Sequence, residues 1–222
     1  MELTRRPPPR HEAELMVRAQ ALLGHTLGEV AAALGGRIDG ESRSLKGRAG
    51  DLVERALGAS AGSAAEPDFP ALGIELKTIP VDERGSVSES TFVCTLQLAR
   101  IADERWADSW VRRKLSCVLW VPVDAAPRPL TERRIGRARL WRPSPDEEVA
   151  LKQDYDELAG RIGLGEIADL TAHTGRCLQI RPKGPDGSAR TTALGPAGEL
   201  VEVMPRGFYL RSSFTSALLQ HA

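Results

Sequence analysis

Apolar residues recur at helical spacing over residues 10–23, where Leu15, Met16, Ala19, Leu22 and Leu23 share a face. Thr26-Leu27-Gly28-Glu29 has the form of a capping box, which predicts a helix over residues 27–34, stopped by Gly35-Gly36. A third helix is predicted over residues 50–57, with Gly58 as its C-terminal glycine and a loop of small residues behind it. The period then changes from helical to two. Residues 74–81 alternate as a strand and residues 91–98 form a second. Residues 116–123 are a continuous apolar run, as in a strand buried on both faces, and residues 139–142 suit another short strand. Ser144-Pro145-Asp146-Glu147 gives a second capping box, with proline at the first helical position. The helix behind it would bury Leu151, Tyr155, Leu158 and Ile162. Beyond it the pattern predicts a strand near residues 177–181 and a Gly/Ser/Pro loop through Gly187. A strand pair around 200–204 and 208–211 and a closing helix over 213–219 complete the chain. Helices and strands intermingle without internal repeats, so the fold class is α/β or α+β with a mixed sheet. At 222 residues the chain suits one large domain or two intimately packed lobes.

Composition narrows this modestly. Hydrophobic residues make up 41% and charged residues 27%, values ordinary for a globular chain that can bury a core. No apolar run is long enough to span a membrane. Arg5, Arg6 and the prolines 7 to 9 have no apolar stretch behind them, so the first ten residues are expected to be a flexible segment and not a signal peptide. Cys94, Cys117 and Cys177 lie far apart in apolar segments, which predicts reduced core cysteines in a cytoplasmic protein. His11, His25, His173 and His221 are scattered, which argues against a histidine metal site or a serine–histidine triad. The formal net charge is zero, but arginines concentrate between Arg100 and Arg142 while residues 146–169 are acidic. A basic surface that meets DNA on one side and a plain solvated surface both fit that distribution.

The segment with chemical content runs from Pro67-Asp68 to Ile74-Glu75-Leu76-Lys77. Alternation places Glu75 and Lys77 on one face of a strand and Ile74, Leu76 and Thr78 on the other. With the apolar set in the core, a carboxylate and an ammonium stand together on a functional face, and Asp68 can fold back beside them. Two carboxylates about 4 Å apart repel by roughly 4 kcal/mol at an effective dielectric near 20. A divalent cation removes that repulsion, and a small set of hard oxygen donors favours magnesium. Such a metal would polarise a phosphodiester and acidify a bound water, with Lys77 stabilising the attacking hydroxide or the charge developing on phosphorus. The spacing alone carries little weight, because a carboxylate two places before a lysine arises by chance in roughly one such sequence in two. An ion pair on a half-buried strand is the alternative.

Longer blocks carry more. Leu57-Gly58-Ala59-Ser60-Ala61-Gly62-Ser63, Asp68-Phe69 and residues 72–81 resemble the MutH family, of PD-(D/E)xK restriction-endonuclease-like fold. So do Thr91-Phe92-Val93-Cys94, residues 111–115, Leu119-Trp120-Val121-Pro122-Val123, residues 178–183 and Pro205-Arg206-Gly207-Phe208-Tyr209-Leu210, running on into residues 214–219. The resemblance implies a mixed sheet flanked by helices, in a monomeric single domain over residues 1–222 whose two lobes form a DNA-binding cleft. It implies a cytoplasmic mismatch repair endonuclease that nicks the unmethylated strand 5′ of a hemimethylated GATC. Magnesium would be the cofactor, with manganese as a substitute, and MutL the activator after MutS has found a mismatch. Carried over by motif, Asp68, Glu75 and Lys77 are catalytic, joined by Glu54 and Lys114. The metal would be held by Asp68, Glu75 and the backbone carbonyl of Leu76. Lys46, Gly47, Phe92, Arg181, Pro182, Lys183 and Tyr209 would contact DNA. Arg181 would read a guanine edge from a turn, and Tyr209 would approach the adenine whose N6-methyl group is sensed. Lys46-Gly47 would lie in a loop, where Arg48-Ala49 replaces a common aromatic residue. A Sau3AI-like restriction endonuclease that cuts both strands, or a DNA-binding module without activity, are the competing readings.

Overall fold

The computed structural model describes residues 5–37, 45–62, 66–98, 100–101, 103–126, 129–171, 173–184 and 186–220, with only the backbone of Leu45 and Lys46. In chain order the elements are helices α1 (Glu12–Gln20), α2 (Leu27–Ala33) and α3 (Leu45–Leu57), strands β1 (Glu75–Val81) and β2 (Thr91–Thr95), and helix α4 (Trp110–Leu115). Strands β3 (Val118–Asp124) and β4 (Arg139–Trp141) lead to helix α5 (Pro145–Gly163). Strands β5 (Leu178–Pro182), β6 (Thr191–Leu194), β7 (Leu200–Val203) and β8 (Arg206–Leu210) precede helix α6 (Ser212–Gln220). The chain divides into two units, one of residues 1–88 and 116–142, the other of residues 89–115 and 143–222.

In the first unit, β3 lies between β1, to which it is parallel, and β4, to which it is antiparallel. The parallel β1–β3 pair puts Glu75 opposite Val118 and Lys77 opposite Trp120. Leu76, Leu119 and Val121 turn to the other face and join Leu15, Leu27, Val30, Leu52, Val53 and Leu57 of the three helices in one core. Both halves of the Thr26–Glu29 capping box form, as the sequence predicts. Helix α3 begins earlier than its apolar periodicity indicated and takes Lys46 and Gly47 into its first turn instead of a loop. Residues 5–9, expected to be flexible, are tied down. The Arg6 amide donates to the Arg55 carbonyl at 3.0 Å, and the Arg18 guanidinium bridges the carbonyls of Pro7 (2.6 Å) and Leu57 (3.0 Å). Gly58 makes this approach possible: a Cβ there would sit 2.4 Å from the Pro7 carbonyl oxygen.

In the second unit, β8 lies between β2 and β5, antiparallel to both. A separate hairpin joins β6 and β7. The strand pair expected from β7 and β8 is therefore corrected: β7 pairs with β6, which the Gly/Ser/Pro-rich sequence concealed. Helix α5 buries Leu151, Tyr155, Leu158 and Ile162 as predicted, and the Ser144–Glu147 capping box and Pro145 open it. The three cysteines are buried and form no disulfide. No helix among the described residues is long and apolar enough to cross a membrane.

Candidate functional site

Asp68 precedes β1 by a tight reversal. A short 3-10 turn, Pro70–Leu72, and Gly73 at φ +64° bring Phe69 and Ile74 into mutual backbone hydrogen bonds of 2.9 and 3.3 Å. The reversal lays Asp68 along the strand, where its Oδ2 accepts from the Leu76 amide at 2.8 Å. The Glu75 amide donates to the Cys117 carbonyl at 2.9 Å, so Glu75 and Lys77 turn their backbone groups toward β3. By alternation Leu76 presents both its amide and its carbonyl to the other side, the free edge of β1, where Asp68 lies. Pro80, of the same parity, fits because its missing N–H would also face that edge. Lys77 Nζ lies 2.7 Å from Glu75 Oε1.

One expectation changes here. The face of Glu75 and Lys77 is not an open one: Glu75 keeps only 2% of its surface, Ile79 of the same parity is buried, and Trp120 beside Lys77 is fully enclosed. A carboxylate that deep needs a partner, and Lys77 supplies it. Glu54 on α3 is half-buried. Burial first, then the Asp68 and Asp51 carboxylates, holds its carboxyl above the ordinary value, against a smaller opposing pull from Arg5. Arg5, Asp51, Glu54, Arg55 and Gly62 line a cavity of about 320 Å³ in this unit. The donor set available to a metal is thus carboxylate and carbonyl oxygen, without thiol or imidazole. Among the described residues no three His, Cys, Asp or Glu side chains form a ready-made metal cluster. A cation held by one or two carboxylates, with water and substrate oxygens completing its shell, fits that set; a caged structural ion does not.

The other residues singled out in the sequence lie on other elements. Lys114 lies in the last turn of helix α4 in the second unit, partly buried. Gly47 is exposed with open space around its Cα, and the side chain of Lys46 lies outside what is described. Phe92, Arg181 and Tyr209 gather on one face of the β2–β8–β5 sheet. Tyr209 stands opposite Phe92 on one side and Gln179 on the other, and Arg181 stands opposite Gly207. The Phe92 and Tyr209 rings meet edge-on at 5.3 Å, and Lys183 Nζ sits 4.7 Å above the Phe92 ring. Arg181 donates to Ser90 Oγ. Arg181 and Pro182 end strand β5, where a turn was expected, and Lys183 follows with its amide on the Pro205 carbonyl at 2.7 Å. A Cβ on Gly207 would lie 2.8 Å from the Phe92 ring and 2.9 Å from the Cys94 carbonyl oxygen, so this aromatic arrangement requires glycine beneath it.

Two residues of α5 support this sheet: Tyr155, buried as expected, and Asp154, which was not singled out in the sequence. Asp154 of α5, 4% exposed, accepts from the amides of Arg176 (2.9 and 3.0 Å), Cys177 (2.5 Å) and Leu178 (2.8 Å). Tyr155 stacks on Phe208 at 5.5 Å and donates to Glu104 Oε2 at 2.7 Å. The signal for Asp154 was its position: residues 151, 154, 155 and 158 form one helical stripe, and a carboxylate on an apolar stripe demands a partner. The arginine-rich stretch is not a single basic surface. Arg112 pairs with Glu148 at 2.7 Å, Arg142 pairs with Glu12, and Arg134 donates to the Gly24 carbonyl at 2.7 Å.

Comparison with known proteins matches residues 57–154 to the family model described as DNA mismatch repair enzyme MutH. The DNA mismatch repair protein MutH of Histophilus somni (strain 2336) is 46% identical over 218 residues, covering 98% of this chain and 97% of that protein. That of Serratia proteamaculans (strain 568) is 48% identical over 214 residues, 96% of this chain and 94% of the relative. That of Escherichia coli O6:K15:H31 (strain 536 / UPEC) is 50% identical over 214 residues, 96% and 93% respectively. Similarity of this degree along almost the whole length means that the chain belongs to the MutH family of DNA mismatch repair endonucleases.

Proposed function

We propose that this protein nicks the unmethylated strand on the 5′ side of hemimethylated GATC sites, in a magnesium-dependent reaction activated by MutL after MutS has recognised a mismatch. Family membership supports the mismatch repair role. The observation that carries the chemistry is the convergence of three charged groups on one short length of edge strand: Asp68 hydrogen-bonds to Leu76, and Lys77 pairs with Glu75. Asp68, Glu75 and the edge-facing carbonyl of Leu76 would hold the metal. When bound, magnesium would supply Lewis acidity toward a phosphodiester and a more acidic water. Lys77 already neutralises Glu75 and keeps an ammonium where charge develops on the scissile phosphate. Glu54, with its carboxyl held above the ordinary value, is suited to take a proton near that centre. Lys114 is proposed as a phosphate contact. Arg181, Lys183, Phe92 and Tyr209 would read the site, with Pro182 and the Lys46–Gly47 turn as further contacts. The chain would act as a cytoplasmic monomer.

A nicking assay on GATC duplexes in all methylation states, with and without MutL and ATP, tests this. The expected result is magnesium-dependent nicking of the unmethylated strand, raised by MutL and abolished in a folded Lys77→Ala protein. Equal cutting of fully methylated and unmethylated duplexes would refute the strand discrimination. Cutting of both strands without MutL would favour a Sau3AI-like enzyme.

A further inference from the structure

Gln179 stands in register with Tyr209 and two residues before Arg181, so all three side chains leave the same face of the β2–β8–β5 sheet. Gln179 keeps only 5% of its surface, yet no hydrogen bond to a described residue engages its side-chain amide. Among the described residues the amide is not one of the sealed, unpaired polar groups, so it reaches the surface while its carbon stem is packed. Every core-facing neighbour on β5 is apolar: Leu178 and Ile180 are buried on the opposite face, where Phe208 meets Tyr155. With its stem held by packing and its amide end at the surface, Gln179 presents a fixed donor and acceptor that a ligand covering this face can engage in place of water.

From this we infer that Gln179 reads the adenine of the recognition site, an inference that rests on the sequence-specific nicking proposed above. Glutamine carries a donor and an acceptor side by side, which match N7 and the N6 amino group of adenine in the major groove. Its amide nitrogen donates to N7 and its carbonyl oxygen accepts the N6 hydrogen not used in base pairing. Methylation of N6 replaces that same hydrogen. Gln179 then loses its acceptor contact and meets a methyl group in its place, while Tyr209 alongside limits the room into which the base can shift. Arg181 and the Lys183–Phe92 pair on the same face take the guanine edge and the backbone, which leaves the adenine edge to Gln179.

Base analogues test the assignment atom by atom. Nicking rates are measured, with magnesium, MutL and ATP, on unmethylated GATC duplexes whose adenine is replaced by 7-deazaadenine, which lacks N7, or by purine, which lacks the amino group. Wild type is expected to lose roughly tenfold to a hundredfold in rate with either analogue. Gln179→Leu nicks the natural site more slowly and becomes indifferent, within about twofold, to both changes. Gln179→Glu, which can accept but not donate, stays sensitive to loss of the amino group and becomes insensitive to loss of N7. Wild type indifferent to 7-deazaadenine, or a folded Gln179→Leu protein that keeps the full penalty for both analogues, overturns the inference while leaving the nicking reaction intact. Sequence-independent nicking by wild type overturns the reading beneath it and this inference with it. Should the leucine variant fail to fold, the wild-type analogue series and the glutamate variant decide the matter alone.

Discussion

Replacing Asp154 by alanine takes one carboxylate from beneath the start of β5 and removes the acceptor of three backbone amides. Its oxygens accept from Arg176, Cys177 and Leu178, and the latter two bonds are buried. Arg176 lies at an exposed residue, so its amide can turn to water. The other two cannot. Each buried orphan N–H costs about 1–3 kcal/mol, which gives roughly 2–6 kcal/mol for the pair. Relief from burying the Asp154 charge lowers the net loss, to about 3 kcal/mol. That is a large share of the roughly 5–15 kcal/mol that holds a domain together. Asparagine keeps the volume but turns an NH2 group toward N–H donors, so about half the loss remains. Urea unfolding gives the free energies, and hydrogen exchange gives the local readout, since the Cys177 and Leu178 amides should lose protection first. An alanine variant within about 0.5 kcal/mol of wild type, the range of a neutral surface change, refutes the reasoning.

Gly207→Ala presses a methyl group on the Cys94 carbonyl and the Phe92 ring, so it should cost about 1–3 kcal/mol and weaken DNA binding along with it. A filter-binding titration that leaves affinity unchanged would remove the Phe92–Lys183 pair from the DNA face. Glu54→Gln should raise the melting temperature at neutral pH in EDTA. Burial and the Asp68 and Asp51 carboxylates hold Glu54 above its ordinary value of 4.5, so the folded state binds this proton more tightly than the unfolded one. The penalty is therefore absent below about 4.5, grows as pH rises through the folded value, and persists above it. A melting difference between the two proteins that does not change with pH contradicts this.

The elements were legible where local rules decide them. Both capping boxes formed as written, and the apolar run ahead of Pro122 became a buried strand because nothing in it competes for water. The order of strands in sheets was not legible. Leu200–Val203 and Arg206–Leu210 are neighbours in sequence, yet each pairs elsewhere, because Thr191–Leu194 supplies a nearer antiparallel partner that its flanking glycines and serine disguised. Lys46 and Gly47 were expected in a loop from the family resemblance, yet α3 starts at Leu45 and takes the poor helix former Gly47 into its first turn.

At the candidate active site, alternation gave the right parity and the wrong environment. It set Glu75 and Lys77 on one face, but exposure depends on what covers a face, and Ile79 and Trp120 of that face are buried as well. Asp68 needed more than parity. Its place beside Leu76 follows from the Phe69–Ile74 bridge and Gly73, a reversal that brings its carboxylate onto that amide. On the second unit, the same period-two rule that paired Glu75 with Lys77 links Gln179 to Arg181, and it went unused because an uncharged side chain offers no electrostatic cue. The charged residues announce where phosphate and metal chemistry belong. On the proposed reading the discrimination of bases is shared between Arg181 and the neutral amide of Gln179, and the amide becomes visible only when the register of β5 on β8 shows which face it leaves.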